Sequence, residues 1–271
     1  MPSAVIWDYT DVASIQGPFA VPVAPTRARG PRGMQPLHLA CLDGDDTGVG
    51  WLLEKGAPVD AKDGKGCTPL IRACQCGRDN AVQMLLDRGA DMRLKNHVME
   101  TPLYIASLLG FEACVTSLLN AERTAQLRDG DYFDGWSPLH AACLKGSQRI
   151  VERLLEYNAD AAYPNKWKQT PLHIAARTGN IAIAELLWQS GASLHAQDAD
   201  HLTPLDIARK RGQVCADFTQ WAQSKTIQVG NSTHLNPLAR PFIPRCQDAT
   251  QARSRCRRKQ SRDRHRRRQV H

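Results

Sequence analysis

The stretch TPLHIA at residues 170–175 returns five more times in this 271-residue chain, as QPLHLA (35–40), TPLIRA (68–73), TPLYIA (101–106), SPLHAA (137–142) and TPLDIA (203–208). Its prolines stand at positions 36, 69, 102, 138, 171 and 204, giving a period of 33 residues with one step of 36. A fixed period of this size marks a stacked repeat, in which each unit buries its apolar face against its neighbours. A stack of this kind presents a surface, which directs the search for function toward binding.

Each residue of the phrase has a local task. Thr68, Thr101, Ser137, Thr170 and Thr203 precede the proline as N-caps, whose hydroxyl accepts from a backbone N–H that the helix leaves unpaired. Proline suits the first helical position, where its missing N–H would have no partner. A leucine one residue later and an alanine three beyond it occur in all six copies and share one helical face. Eight residues after each proline stands a glycine (Gly44, Gly77, Gly110, Gly146, Gly179, Gly212), expected to end the first helix in the left-handed conformation. A second apolar helix follows, with its fixed point at Leu52, Leu85, Leu118, Leu154 and Leu187. Gly-Ala closes it at 56–57, 89–90 and 191–192, and Asn158-Ala159 takes that place in the fourth copy.

These motifs resemble the ankyrin repeat. The resemblance covers residues 34–222 and implies an all-α solenoid of about six stacked helix-turn-helix repeats joined by β-hairpin-like loops. It implies a concave face built from hairpin tips and first helices. The expected organisation is a Pro/Gly-rich disordered leader at 1–33, repeats at 34–222 and a disordered basic tail at 223–271. The first copy has Gln35 in place of Thr or Ser, and the sixth is polar late, as terminal caps are. The third departs most: Glu122-Arg123 replaces Gly-Ala, and the linker over 120–136 is longer.

The formal charge of +8 is concentrated in one place. Residues 253–268 hold ten basic residues and one acid, leaving the other 255 residues at −1. Arg255, Arg257, Arg258 and Lys259 form one cluster; Arg262, Arg264, Arg266, Arg267 and Arg268 form the second. Such clusters serve nuclear import, or a phosphate-driven, salt-sensitive contact with nucleic acid or an acidic protein. Cys41, Cys74 and Cys143 share one repeat position five after the proline, which reads as packing of reduced thiols in a cytoplasmic or nuclear protein. No apolar run is long enough to span a bilayer.

No phosphate loop, nucleophile motif or carboxylate pair is present, so the expectation is a non-catalytic module with no cofactor, metal or small-molecule substrate. His38, His140 and His173 recur at one motif position as locally bonded residues. Under the resemblance, the residues two, four and five before each proline lie at hairpin tips and touch partners. The second copy contributes Lys65, the third His97 and Glu100, and the fourth Phe133, Asp134 and Trp136. The fifth contributes Lys166, Trp167 and Gln169, and the sixth Asp200. Phe133, Trp136 and Trp167 stand out as large rings at neighbouring tips, the residue type enriched at binding hot spots. The leading expectation is an adaptor that binds a protein through the concave face and these tips. One alternative is a nuclear factor whose Arg-rich tail contacts nucleic acid. Another is a substrate-recruiting adaptor for ubiquitin ligation, although no appended box is recognisable in 223–271.

Overall fold

Helices begin where the Thr-Pro and Ser-Pro pairs place them. Thr68, Thr101, Ser137 and Thr203 each accept a hydrogen bond from the backbone N–H three residues on, at 3.2 to 3.3 Å. The computed structural model describes residues 31–121 and 134–230. The chain divides into two units, residues 1–97 and 98–271, and each is built as a repeat solenoid of paired helices.

In the first unit a 3-10 turn (Pro31–Gly33) leads into α1 (Pro36–Asp43) and α2 (Asp46–Glu54), followed by α3 (Pro69–Cys76) and α4 (Asp79–Asp87). First helix packs on first helix, α1 on α3, and second on second, α2 on α4. Gln35, at the cap position of α1, leaves its Oε1 buried without a partner. This is the cost of the missing hydroxyl in the first copy.

The second unit repeats the scheme. Its first helices α5 (Pro102–Leu109), α7 (Pro138–Lys145), α9 (Pro171–Thr178) and α11 (Pro204–Lys210) pack in series as one layer. The other layer is α6 (Glu112–Ala121), α8 (Gln148–Glu156), α10 (Ile181–Gln189) and α12 (Ala216–Gly230). Glycines 44, 77, 110, 146 and 179 end α1, α3, α5, α7 and α9 with φ between 66° and 89°, which only glycine adopts without strain. Asn158 takes φ 65° after α8, as its place in the pattern requires.

The core follows the repeat. Leu52, Leu85, Leu118, Leu154 and Leu187 are fully buried, and the phrase alanine is buried in all six copies. The phrase leucine is buried at 37, 70, 139 and 172 but only half-buried at 103 and 205. Those two lie on α5 and α11. Two further differences concern the sixth repeat. α11 stops at Lys210 with Arg211 still right-handed, and a 3-10 turn (Gly212–Cys215) replaces the glycine-ended helix. α12 has 15 residues where α10 has 9, and runs past position 222. Glu122, Arg123, Phe133 and the whole Arg-rich cluster lie outside the described residues.

Cys41, Cys74 and Cys143 are fully buried, as the repeat position implies. Burial pushes the Cys41 thiol up to about 12, so it stays protonated and inert. The same position in the third repeat is Ser107, fully buried with no partner for its hydroxyl. An unsatisfied buried hydroxyl costs about 1 kcal/mol or more. Ser107→Cys, which copies the neighbouring repeats at nearly constant volume, is therefore expected to stabilise the protein by about 1 kcal/mol, raising Tm by about 2–4 °C. Calorimetry checks this, and a lower Tm would mean that the hydroxyl is satisfied.

Candidate functional site

The tips of the second, third, fifth and sixth copies share one anchor position. Six residues before the proline stand Asp63, Asn96, Asn165 and Asp198, each about 5–6% exposed. One oxygen of Asp63 accepts from the N–H groups of Lys65 and Cys67, at 2.8 and 2.9 Å. Asn165 does the same for Trp167 and Gln169, and Asp198 for Asp200 and Leu202. The side chain thus replaces a missing backbone partner and locks the turn. The residue three before the proline is left-handed throughout, as Gly33, Gly66, Met99, Gly135, Lys168 and His201.

Neighbouring tips are also tied together. Within the first unit, Gly64 N–H donates to the Arg32 carbonyl at 2.8 Å and His97 N–H to Lys65 at 3.0 Å. Within the second, Lys166 N–H donates to Asp134 at 3.0 Å and Ala199 N–H to Trp167 at 2.8 Å. Among the described residues these bonds form no strand, so the hairpin-like character rests on short backbone bonds within each turn, such as Asn165 N–H to Gln169 and Lys168 N–H to Asn165, and on the cross-tip bonds.

The buried imidazoles support the tips from below. The backbone N–H groups of Gln35, Ser137 and Thr170 donate to Nδ1 of His38, His140 and His173, at 3.0 to 3.2 Å. Nδ1 is therefore the acceptor, and Nε2–H is left to donate. It reaches the carbonyl two before the next proline: Cys67 at 3.0 Å, Gln169 at 2.9 Å and Leu202 at 3.2 Å. Each histidine thus caps its own helix and holds the following tip. Burial lowers the pKa of all three, that of His140 to about 4. With both ring nitrogens engaged, these residues hold structure. Among the described residues no group of three or more His, Cys, Asp or Glu is placed to hold a metal ion.

Asp63 has a further partner. Its second oxygen receives Arg72 Nε at 2.9 Å in a buried ion pair. Burial works to raise its pKa, but the bonds from Arg72 and the two amides prevail and hold it below the usual carboxylate range. The equivalent of Arg72 beside Asn165 is Ile174, and the buried Asn165 Nδ2 has no acceptor.

The expected contact residues divide by environment. Lys65, His97, Lys166 and Asp200 are exposed; Glu100, Asp134 and Gln169 are half-buried. Trp167 is 46% exposed on a tip bonded to both its own anchor and the next tip. Trp136 is half-buried: its ring lies 5.8 Å from the His140 imidazole, with the Arg177 guanidinium 5.8 Å from its centroid. The two tryptophans therefore have different duties, Trp136 largely packed and Trp167 presented.

The Trp136–Arg177 contact also joins tip and helix end on one surface, because Arg177 stands six residues after its proline. At that position α7 carries Leu144, 41% exposed, and one residue beyond it on α5 Leu109 is exposed to the same extent. Sequence reasoning passed over this position. Its signal was variation: Leu42, Gln75, Leu108, Leu144, Arg177 and Lys210 differ where core positions do not.

Family models for ankyrin repeats match residues 19–96 (a model of three copies) and 139–188 (a model of many copies). The crystal structure of the human ASB11 ankyrin repeat domain is similar at 30% identity and TM-score 0.64, over 74% of this chain and 86% of that one. The ankyrin repeat domain of Bcl-3, described as a unique member of the IkappaB protein family, is similar at 28% identity and TM-score 0.63. It covers 70% of this chain and 84% of its own. No sequence among the curated proteins matches.

Proposed function

The chain belongs to the ankyrin-repeat family, and we propose that it works as a non-catalytic adaptor whose second unit docks a protein partner. The docking surface comprises the tips of the fourth and fifth repeats with the exposed ends of α5 and α7. The observation that carries this is Trp167, a large ring 46% exposed on a tip fixed by hydrogen bonds within its own loop and to both neighbouring tips. Exposed apolar groups of this size mark interaction surfaces, and a rigid support reduces the ordering cost of binding. Leu109 and Leu144 extend the apolar area.

Leu144→Lys combined with Trp167→Ala tests this reading. Both side chains are exposed, so Tm should stay within about 2 °C, while affinity for a captured partner falls about thirtyfold or more. Capture of the same partners by the full-length variant and the natural chain would refute it.

Residues 253–268 supply a second, separable activity through their charge of +9. It is a phosphate-driven contact or an import signal that requires no repeat residue. Deleting them should abolish nuclear accumulation of a fused reporter while leaving partner capture intact.

A further inference from the structure

We propose that the docking surface takes an acidic segment of the partner protein, with a carboxylate seated between Arg177 and Arg211 and apolar neighbours against Trp136, Trp167 and Leu144. This rests on the reading that the second unit binds a protein.

Arg177 occupies the last turn of α9 and is half-buried, with its guanidinium over the Trp136 ring. Arg211 follows α11, which packs against α9. Arg177 and Arg211 thus stand at the ends of neighbouring first helices, and burial first, then the charge of Arg211, depress the pKa of Arg177. Among the described residues neither has an acidic partner. Of the carboxylates on the adjoining helices, Asp206 and Glu185 are already engaged, while Asp217 on α12 is exposed. Asp206 of α11 receives the Thr203 N–H and hydroxyl and lies 3.8 Å from Arg209. Glu185 of α10 receives Trp221 and Lys225.

A helix C-terminus favours basic residues in its last turn, which accounts for each arginine at the end of its own helix. That preference does not explain why the Arg177 guanidinium lies over the Trp136 ring, half out of water. Two arginines on neighbouring helix ends are complementary to an anion, because guanidinium donors pair with a carboxylate along two parallel bonds. Lys166 and Lys168 on the fifth tip add positive potential that steers an acidic chain toward the surface. Asp134 and Asp200, on the fourth and sixth tips, confine the positive region. Exposed Trp167 and Leu144 call for apolar residues beside that carboxylate.

The test selects a displayed random peptide library on the full-length protein and on its Arg177→Gln/Arg211→Gln variant. Selected peptides should carry Asp or Glu beside aromatic or aliphatic residues. They should bind about tenfold or more weakly to the variant, and weaken likewise when their acids become amides. Arg211→Gln alone, at an exposed position, should give part of the loss and serves if the double variant melts early. Neutral or basic peptides that still depend on Leu144 and Trp167 would overturn the acidic partner and leave the docking surface standing. Peptides indifferent to Leu144 and Trp167, or no enrichment, would overturn both. Tighter binding of an oligothymidine, lost in the double variant, would replace the acidic peptide by a nucleic acid.

Discussion

Replacing His140 by alanine lowers stability by about 3 kcal/mol. The ring is fully buried, so its removal leaves a cavity. The Ser137 N–H loses its acceptor, and the Gln169 carbonyl loses a donor that crosses from one repeat to the next. His140→Asn should cost less. In the sixth repeat Asp206 holds the same position, and its short side chain accepts from Thr203 N–H at 3.0 Å. An asparagine at 140 can do the same for Ser137, yet it is too short to reach Gln169. The alanine-to-asparagine difference therefore separates capping from coupling between repeats.

The same residue makes the fold sensitive to acid. Burial favours the neutral ring and lowers the His140 pKa from 6.5 to about 4, with His173 contributing in the same direction. The stabilisation is thus complete above the unfolded pKa and is lost as pH falls through the interval down to the folded value. At 1.36 kcal/mol per unit this amounts to about 3 kcal/mol. His38 and His173 shift in the same direction and add to the loss. Urea melts at about pH 7.5 and pH 4.5 should differ by about 2–3 kcal/mol or more, with a smaller difference in His140→Asn. Equal stability at the two pH values would show that the ring is not held neutral.

Much of this was legible from the chain because the governing interactions are local. A hydroxyl before a proline caps a helix within three residues, and a glycine eight residues later ends it. Neither needs knowledge of what packs outside. Leucine and alanine at fixed spacing likewise identify the core face in the inner repeats. The tip anchors were equally periodic, since Asp63, Asn96, Asn165 and Asp198 all stand six residues before a proline. Their meaning was hidden because a surface acid and a buried turn-locking acid look alike in sequence. The half-burial of Trp136 depends on Arg177, 41 positions further on, which no local pattern connects to it. The length of α12 depends on what its extra turns touch.

That contact leads to the second large effect. Phe218→Ala lowers stability by about 3–5 kcal/mol and removes protection from the fifth and sixth repeats first. Phe218 is fully buried and packs on Trp221 at 5.2 Å between centroids. Trp221 Nε1–H donates to Glu185 at 2.7 Å, and Lys225 reaches the other Glu185 oxygen at 3.1 Å while lying 4.4 Å over the Trp188 ring. Burial tends to raise the Glu185 pKa, but the bonds from Trp221 and Lys225 overcome it and hold the carboxyl below its ordinary range. Phe218 therefore supports an apolar contact and a charged clasp together, and both fasten α12 to α10. Stability in a repeat stack is close to a sum over neighbours, so damage at this end should spread inward with decreasing force. Hydrogen exchange should show α12 and α11 losing most protection, α10 and α9 less, and α5 to α8 least. Trp221→Phe keeps an aromatic ring but deletes the bond to Glu185 and part of the packing, so it should cost about 1–3 kcal/mol with the same gradient. Uniform loss of protection across the second unit would mean that it unfolds as one block, and α12 would then be an ordinary core helix with no capping role.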